Sequence, residues 1–264
     1  MRLMRVGFIG TGNMAGALAR AIASAKPSVT VVGSDSNVEA LNRLSQELPR
    51  FEAAPDNASV FSQSDVTFLS IKPQVMNDVL SELSGATGLL VSIAAGVRIG
   101  RVEQSVPGAR VVRVMPNTPC LVGEMAAGYA LGRSATEQDA SVVHDLLSCA
   151  GVAVRLPEEQ LDAVTGLSGS GPAFVARLIG AFVSAGVSAG LSKEAARQLT
   201  LKTFSGTARL LADRDLTVED LVNMVSSKGG TTVAGRAVLE ASDYAEIIAG
   251  TIQAAVERSR ELGR

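Results

Sequence analysis

The sequence predicts an α/β fold in which a doubly wound parallel sheet at the N-terminus is followed by an all-helical domain. Three observations carry this prediction. A short apolar run ends in a glycine-rich turn that opens a helix, strand and helix patterns then alternate as far as residue 155, and strand patterns stop near Leu161. We therefore expect one domain over residues 1–160 and a second over residues 161–264.

The first strand and turn give the N-terminal domain its expected role. Residues 6–9 are apolar and partly β-branched, as in a buried strand. The pattern Gly10-x-Gly12-x-x-Ala15 follows and leads into a helix. Gly10 permits a sharp turn, Gly12 lets a pyrophosphate approach the backbone, and the helix N-terminus offers free N–H groups. The pattern predicts a Rossmann-type dinucleotide-binding domain; a glycine turn without a ligand is the alternative.

The remaining elements extend this architecture. Further strands are predicted at 29–32, 65–71, 89–93, 111–114, 125–131 and 152–155, and helices at 38–48, 75–83 and 137–148. Ligands of such sheets bind beyond the carboxyl ends of the strands. One rim should therefore hold residues 10–14, Ser34, 70–73, 94–96 and 117–119. The second domain should contain helices at 171–189, 193–213, 218–225 and 233–262, the second of them capped by Ser192.

Composition and charge narrow the classes of partner. The net charge is −2 and no basic run appears, which argues against nucleic acid. Cys120 and Cys149 suggest no disulfide framework, so we expect a reducing, cytoplasmic setting. The start of the chain leaves no room for a signal peptide before the first strand.

The most apolar window, residues 172–191, predicts association with a second subunit. It contains Arg177 and many small residues, so a buried helix fits better than a membrane span. A helix that is apolar nearly all round must be covered on every side. A small helical domain provides too little cover for it, which predicts a homodimer.

Few residues suit acid–base chemistry. His144, the single histidine, lies in a helical segment away from the rim. Lys72 lies on the rim, where it could shape the loop, flank a cofactor or transfer a proton, and Cys120 is expected to serve packing. Residues 226–232, a Ser-Ser-Lys-Gly-Gly-Thr-Thr segment, form a potential anion site at a helix N-terminus, suited to a substrate carboxylate. A capped loop without a ligand is equally compatible with that segment.

The residues after the second strand leave the type of dinucleotide open. Asp35 would accept hydrogen bonds from a ribose 2′-hydroxyl and favour NADH. Ser34, Ser36 and Asn37 offer the hydroxyl, amide and N–H groups that suit a 2′-phosphate, as in NADPH.

Along nearly its whole length the sequence resembles the pyrroline-5-carboxylate reductases. The segments that carry the resemblance are IGTGNM at 9–14, IKP at 71–73, AAG at 94–96, RVMPNTP at 113–119, LSGSGPA at 167–173 and GGTTVAG at 229–235. Many enzymes share the glycine turn, whereas the last two segments together are specific to this family. One position departs from the family pattern, because Lys228 stands where a proline is usual.

The resemblance implies hydride transfer from NADPH or NADH to the C=N carbon of L-1-pyrroline-5-carboxylate, which gives L-proline in the last step of its biosynthesis. It implies that Thr232 hydrogen-bonds the ring nitrogen as the catalytic residue, and that Ser227, Gly230 and Thr231 hold the substrate carboxylate. The implied cofactor residues are Gly10, Thr11, Gly12, Asn13, Met14, Ser34, Asn57, Ser70, Lys72, Pro73, Ala94, Ala95 and Asn117. Because Ser34 and Asn57 match positions that meet the ribose and its 2′-phosphate, the resemblance favours NADPH. It also implies an obligate homodimer with interleaved helical domains, often assembled into rings, and no metal.

Two other functions compete with this interpretation. A dehydrogenase of small hydroxyacids would share the glycine spacing at the start of the apolar helix, but Val175 and Leu178 occupy its lysine and asparagine positions. A nucleotide-sensing protein that has lost turnover is the other alternative, and Lys228 is the one feature that favours it.

Overall fold

The computed structural model of the chain describes residues 3–263. Its sheet has eight strands in the order β3-β2-β1-β4-β5-β6-β7-β8. The strands are β1 Arg5–Ile9, β2 Thr30–Ser34, β3 Phe51–Ala53, β4 Val66–Leu69, β5 Gly88–Ser92, β6 Ala109–Met115, β7 Met125–Leu131 and β8 Gly151–Arg155. The helices between them are α1 Asn13–Ala25, α2 Val38–Glu47, α3 Asn57–Gln63, α4 Met76–Glu82, α5 Ile99–Ser105 and α6 Glu137–Leu147. The predicted doubly wound sheet is thus confirmed.

The later part of the chain is helical, as predicted. Its helices are α7 Leu161–Val164, α8 Gly171–Ser188, α9 Lys193–Asp213, α10 Val218–Met224, α11 Thr231–Glu240 and α12 Tyr244–Leu262. The N-cap predicted at Ser192 is confirmed, because its side chain accepts a hydrogen bond from the Ala195 N–H at 3.2 Å.

The sheet is buried on both faces. Adjacent residues of one strand belong to different apolar clusters: Phe8 packs in one and Ile9 in the other. Phe68 of β4 lies on the Phe8 side, where the two rings stack with centroids 5.0 Å apart. Burial on both faces explains the continuous apolar runs that characterise the parallel strands.

One strand reverses the direction of the sheet. The pairs from β3 to β6 are parallel, whereas β7 runs antiparallel to β6 and β8 runs parallel to β7. Only residues 116–124 connect β6 to β7. A parallel crossover needs a dozen or more residues, so this short link obliges the chain to turn back.

The helix predicted at 233–262 is wrong in one respect, because the structure breaks it into α11 and α12. At the break the Ser242 hydroxyl donates to the Leu239 carbonyl at 2.6 Å, and the Ser242 N–H bonds the same carbonyl at 3.1 Å. This local side-chain bond takes an acceptor that a continuing helix would use. The pattern also left β3, α3 and α5 unpredicted.

Contacts between Cα atoms divide the chain into two compact units. One runs up to Pro172 and includes the chain from Ala254 onward, and the other is Ala173–Gln253. The predicted domain boundary near residue 160 concerns independent folding and stays a prediction.

The second unit buries few of its side chains within one chain. Within residues 173–253 only Ala196 and Thr200 are buried. Phe182 of α8 packs edge-on against Phe204 of α9, with centroids 5.1 Å apart, yet Phe182 remains 57% exposed. In residues 3–263 one run, Glu158–Ser188, is long and apolar enough to cross a membrane, by length and composition alone. An exposed apolar surface of this kind is typical of a protein-protein or membrane contact.

Candidate active site

The glycine turn has the geometry that a dinucleotide requires. Gly10 has φ of +87°, and a Cβ there would lie 2.7 Å from the Ser70 carbonyl oxygen. Gly12 caps α1 without a side-chain hydrogen bond, and a Cβ there would meet nothing within 4 Å. Open space therefore lies before the free N–H groups of a 13-residue helix. Those groups and the helix dipole suit a pyrophosphate, so the residues fit the predicted cofactor.

Asp35 is held by the glycine turn itself. Its Oδ2 accepts from the Thr11 N–H at 2.6 Å and from the Thr11 hydroxyl at 3.0 Å, while its Oδ1 accepts from the Asn37 N–H at 2.8 Å. Asn37 in turn caps α2. The carboxylate at the end of β2 is thus tied to both neighbouring segments, and Thr11, predicted as a cofactor residue, has its hydroxyl engaged there.

A chain of side chains joins the end of β2 to two helices. The Ser34 hydroxyl donates to Asn57 Oδ1 at 2.6 Å, and Asn57 Nδ2 donates to Glu82 Oε2 at 2.7 Å. Ser34 is buried and its carbonyl accepts from the Gly10 N–H at 2.9 Å, so the chain begins beside the glycine turn. Ser34 and Asn57, predicted together from the resemblance, are in contact. Glu82, the last residue of α4, carried no signal in the sequence.

A cavity of about 390 Å³ opens at the carboxyl ends of β4, β5 and β6. Its lining includes seven of the predicted cofactor residues, namely Met14, Ser70, Lys72, Pro73, Ala94, Ala95 and Asn117. Ile71, Ile93, Met115, Pro116, Thr118 and Gly169 complete the wall. The lining contains no Asp, Glu or His, and the Ser70 hydroxyl is buried without a hydrogen-bond partner in the described part of the chain. The cavity is therefore mostly apolar, and the polar side chains of its lining are those of Ser70, Lys72, Asn117 and Thr118.

Asn117 has a structural task that the sequence did not reveal. Its Oδ1 accepts from the Ala126 N–H at 2.9 Å, and its Nδ2 donates to the Ser168 carbonyl at 3.1 Å. Ser168 belongs to a π-helical turn, Thr165–Gly169, closed by the Ser170 N–H on the Thr165 carbonyl at 2.8 Å. Asn117 thereby fixes the turn that supplies Gly169 to the cavity wall.

The four predicted substrate residues lie in one turn of the second unit. The Gly230 N–H bonds the Ser227 carbonyl at 2.9 Å, and Gly229 between them has φ of +72°. Gly230 caps α11 without a side-chain hydrogen bond, so the N–H groups of Thr231 and Thr232 are free at the helix start. This glycine-threonine loop, residues 226–232, thus presents unpaired N–H groups at the start of a helix.

The remaining candidates lie elsewhere. His144 is exposed on α6, with its ring 6.2 Å from that of Tyr129. Cys120 is buried, and burial raises the pKa of its thiol to about 11, which leaves it protonated and unreactive at neutral pH. No group of three potential metal ligands occurs among residues 3–263.

Two family models match the chain. Residues 158–262 match "Pyrroline-5-carboxylate reductase dimerisation", and residues 5–96 match "NADP oxidoreductase coenzyme F420-dependent". The first spans the helical region with its exposed apolar surface and the glycine-threonine loop, which indicates self-association. The second spans the glycine turn and the first five strands.

Curated proteins and solved structures are similar over the full length. Pyrroline-5-carboxylate reductase from Synechocystis is 38% identical over 99% of both chains, and that from Arabidopsis thaliana is 37% identical over 98% of this chain and 96% of its own. The solved structure of the reductase from Coxiella burnetii is 29% identical over 100% of both chains, with a TM-score of 0.93. A Plasmodium falciparum pyrroline carboxylate reductase with NADP bound is 30% identical over 99% of this chain and 98% of its own, with a TM-score of 0.82.

Proposed function

The chain belongs to the pyrroline-5-carboxylate reductase family, and we propose that it transfers a hydride from NAD(P)H to the C=N carbon of L-1-pyrroline-5-carboxylate, giving L-proline. The observation that carries the proposal is the cavity at the carboxyl ends of β4 to β6. It adjoins an open glycine turn, it is mostly apolar, and its lining holds no carboxylate or imidazole.

The chemistry explains why such a site suffices. When bound, the reduced nicotinamide supplies the hydride. A protonated imine already carries positive charge at the bond to be reduced, so the protein needs to position it, exclude water and hydrogen-bond its nitrogen. A strong general acid is unnecessary. An alcohol or ketone substrate would need a proton donor or acceptor in the cavity. Lys72 is the one ionisable side chain of the lining, so it alone could take that role.

We assign the parts of the reaction to named residues. Gly12, Asn13 and Met14 hold the pyrophosphate at the start of α1, and Ser34 with Asn57 meets the adenosine ribose. Gly10 and Thr11 shape the turn rather than donate to the ligand, because the Gly10 N–H bonds the Ser34 carbonyl and both donors of Thr11 bond Asp35. The remaining cofactor residues, Ser70, Lys72, Pro73, Ala94, Ala95 and Asn117, surround the nicotinamide. The apolar lining would keep water from the reacting bond.

The glycine-threonine loop would hold the substrate. The free N–H group of Thr231, with the Ser227 side chain, suits the carboxylate, and the Thr232 hydroxyl is proposed to bond the ring nitrogen. The Gly230 N–H, which the resemblance also implies for the carboxylate, is engaged by the Ser227 carbonyl at 2.9 Å, so Gly230 would contribute as the N-cap of α11 instead. Lys228 is exposed in the same loop, and none of the described residues forms an ion pair with it. Its cation would attract the carboxylate before binding.

We further propose a cytoplasmic homodimer, extended to a ring of dimers as the resemblance implies. The exposed face of α8 supports association, since an apolar helix of 18 residues with no buried side chain requires a cover. Light scattering at micromolar concentration tests this assembly, and a monomer would count against it.

The assay that tests the reaction follows oxidation of NADPH and of NADH in the presence of L-1-pyrroline-5-carboxylate. We expect turnover with this imine. We expect no turnover when NAD(P)⁺ and a small 3-hydroxyacid are supplied instead, the reaction that a hydroxyacid dehydrogenase would catalyse. Binding of the dinucleotide without turnover would support a sensing role instead and refute the proposed reaction.

A further inference from the structure

The adenosine end of the cofactor site contains a carboxylate that the proposed reaction does not use. Glu82 ends α4 and accepts a hydrogen bond from Asn57 Nδ2 at 2.7 Å. We propose that Glu82 sets the cofactor preference of this chain: it fixes the direction of the hydrogen bonds in the Ser34–Asn57 pair and thereby weakens binding of a 2′-phosphate. This inference rests on the proposed function, since it concerns the cofactor of that reaction.

The first step concerns the orientation of the Asn57 amide. An ionised carboxylate only accepts hydrogen bonds, so the amide must turn its NH₂ group toward Glu82. Its carbonyl oxygen then faces Ser34, 2.6 Å from the hydroxyl oxygen. Because that carbonyl can only accept, the Ser34 hydroxyl must donate its single proton to Asn57. Glu82 thus decides the direction of both bonds.

The second step concerns what the pair can offer to a ligand. The Ser34 proton is committed to Asn57, and one of the two Asn57 amide protons is committed to Glu82. The hydroxyl oxygen of Ser34 still has lone pairs, which can accept a proton from a ribose 2′-hydroxyl. A 2′-phosphate has only acceptor oxygens when ionised and needs donors at this place. With one Asn57 amide proton as its single remaining donor, the pair as oriented favours the hydroxyl of NADH over the phosphate of NADPH, against the preference that the resemblance implies.

The charges around the pair act in the same direction. A phosphate monoester carries roughly −1.5 to −2 charges at neutral pH. Asp35, next to Ser34, bonds only Thr11 and Asn37, and across residues 3–263 no lysine or arginine pairs with Asp35 or Glu82. The 2′-phosphate would therefore meet two carboxylates, those of Asp35 and Glu82, that no cation among the described residues neutralises. Of these two, Glu82 is the one hydrogen-bonded to the Ser34–Asn57 pair.

Removing the carboxylate should release the amide. In Glu82→Ala the Asn57 amide has no fixed partner on that side, so Asn57 and Ser34 can both turn donors toward a phosphate. Glu82→Gln removes the charge and presents a group that both donates and accepts, so it should act in the same direction. Asp56→Asn is the matched control. Asp56 adjoins Asn57 and caps α3 by accepting from the Ser59 N–H at 2.7 Å, a task that asparagine also performs.

The experiment is isothermal titration calorimetry of the purified full chain with NADP⁺ and with NAD⁺, without substrate. Glu82→Ala should lower the Kd for NADP⁺ about tenfold, equivalent to about 1.4 kcal/mol, and leave the Kd for NAD⁺ within about twofold. Asp56→Asn should leave the ratio of the two Kd values unchanged. Thermal melting of each variant checks that it is folded, and Glu82→Gln provides the same test if the alanine variant fails to fold.

Two results would overturn the inference. One is an unchanged NADP⁺ to NAD⁺ ratio in folded Glu82 variants. The other is an equal shift in Asp56→Asn, which would attribute the effect to charge at a distance rather than to the orientation of the amide. Because only dinucleotide binding is measured, a failure of the reductase assay and a failure of this inference are distinguishable.

Discussion

Replacing Asn117 by alanine should destabilise the ligand-free protein, because this side chain ties the π-helical turn to β7. The substitution leaves the Ala126 N–H and the Ser168 carbonyl without their partner. A buried group that loses its hydrogen bond costs about 1–3 kcal/mol. Both residues are half-buried, so water can reach them in part, and the lower figure applies to each. The expected loss is therefore about 2 kcal/mol, or about 4–8 °C in Tm for a chain of this size.

Asn117→Asp makes the same argument sensitive to pH. Its protonated acid can still donate to the Ser168 carbonyl, whereas the ionised form places a charge against that oxygen at a position that is 7% exposed. The folded protein therefore raises the pKa of the introduced carboxyl above its unfolded value of about 3.9. The stability of the variant is fully present below that value and falls as the pH rises through the raised pKa. Its deficit against the parent protein should grow from pH 5 to pH 8.

The assay is thermal or urea unfolding of the parent and variants at one fixed protein concentration, without dinucleotide. Asn77→Asp is the control, because Asn77 Oδ1 accepts from Arg101 Nη2 at 2.7 Å on the surface and aspartate keeps that acceptor. It should change stability by less than about 0.5 kcal/mol. An unchanged Tm in ligand-free Asn117→Ala would refute the reasoning, since it would make Asn117 a cofactor contact alone.

Three further predictions concern the glycine turn, the substrate loop and α6. Gly10→Ala should destabilise the ligand-free protein by about 1–3 kcal/mol, because Gly10 has a positive φ and a Cβ there would lie against the Ser70 carbonyl. Gly12→Val should keep the Tm but abolish dinucleotide binding in calorimetry, because its side chain enters the open space before α1. An equal loss of stability in the two variants would contradict this prediction. Thr232→Ala should remove about 2–4 kcal/mol of transition-state stabilisation and so lower kcat, with the Kd of the dinucleotide unchanged. Thr231→Ala keeps the backbone N–H of residue 231 and should retain kcat. Equal kcat values in the two variants would end the assignment of Thr232. Burial raises the pKa of Asp139, but hydrogen bonds from Arg110 and Thr136 outweigh burial and lower the pKa overall. The stabilisation by the Asp139 carboxylate is therefore present above about pH 4 and is lost as the pH falls. In urea unfolding, the loss of stability caused by Asp139→Asn should shrink at low pH, and a loss that does not change with pH would argue against the ion pair.

The strands were predictable where the chain carries a continuous apolar run. β1, β2, β4, β5 and β6 are buried on both faces, and such runs stand out in the sequence. β3 was not predicted, because it has only three residues and Phe51 is the one large apolar side chain among them. The reversal at β7 depends on the length of a connection rather than on periodicity.

The site was predictable as far as topology determines it. Because parallel strands end at one edge, residues more than a hundred positions apart were placed on one rim, and seven of the implied cofactor residues line one cavity. The Asn57–Glu82 bond was not predictable, because it joins residues 25 apart through the packing of α3 on α4. The tie from Asn117 to Ser168 was missed because a π-helical turn leaves no periodic pattern.

Self-association and substrate binding are linked because they belong to the same segment of chain. A unit in which only Ala196 and Thr200 are buried has too small a core to be stable by itself. Its order must therefore draw on apolar surface covered by a partner, and α8 exposes such a surface along its length. The glycine-threonine loop lies in this unit, so whatever stabilises the unit also holds the N–H groups of Thr231 and Thr232 in place. Association should then stabilise the substrate loop by mass action, and dilution below the dissociation constant should lower activity before the sheet unfolds.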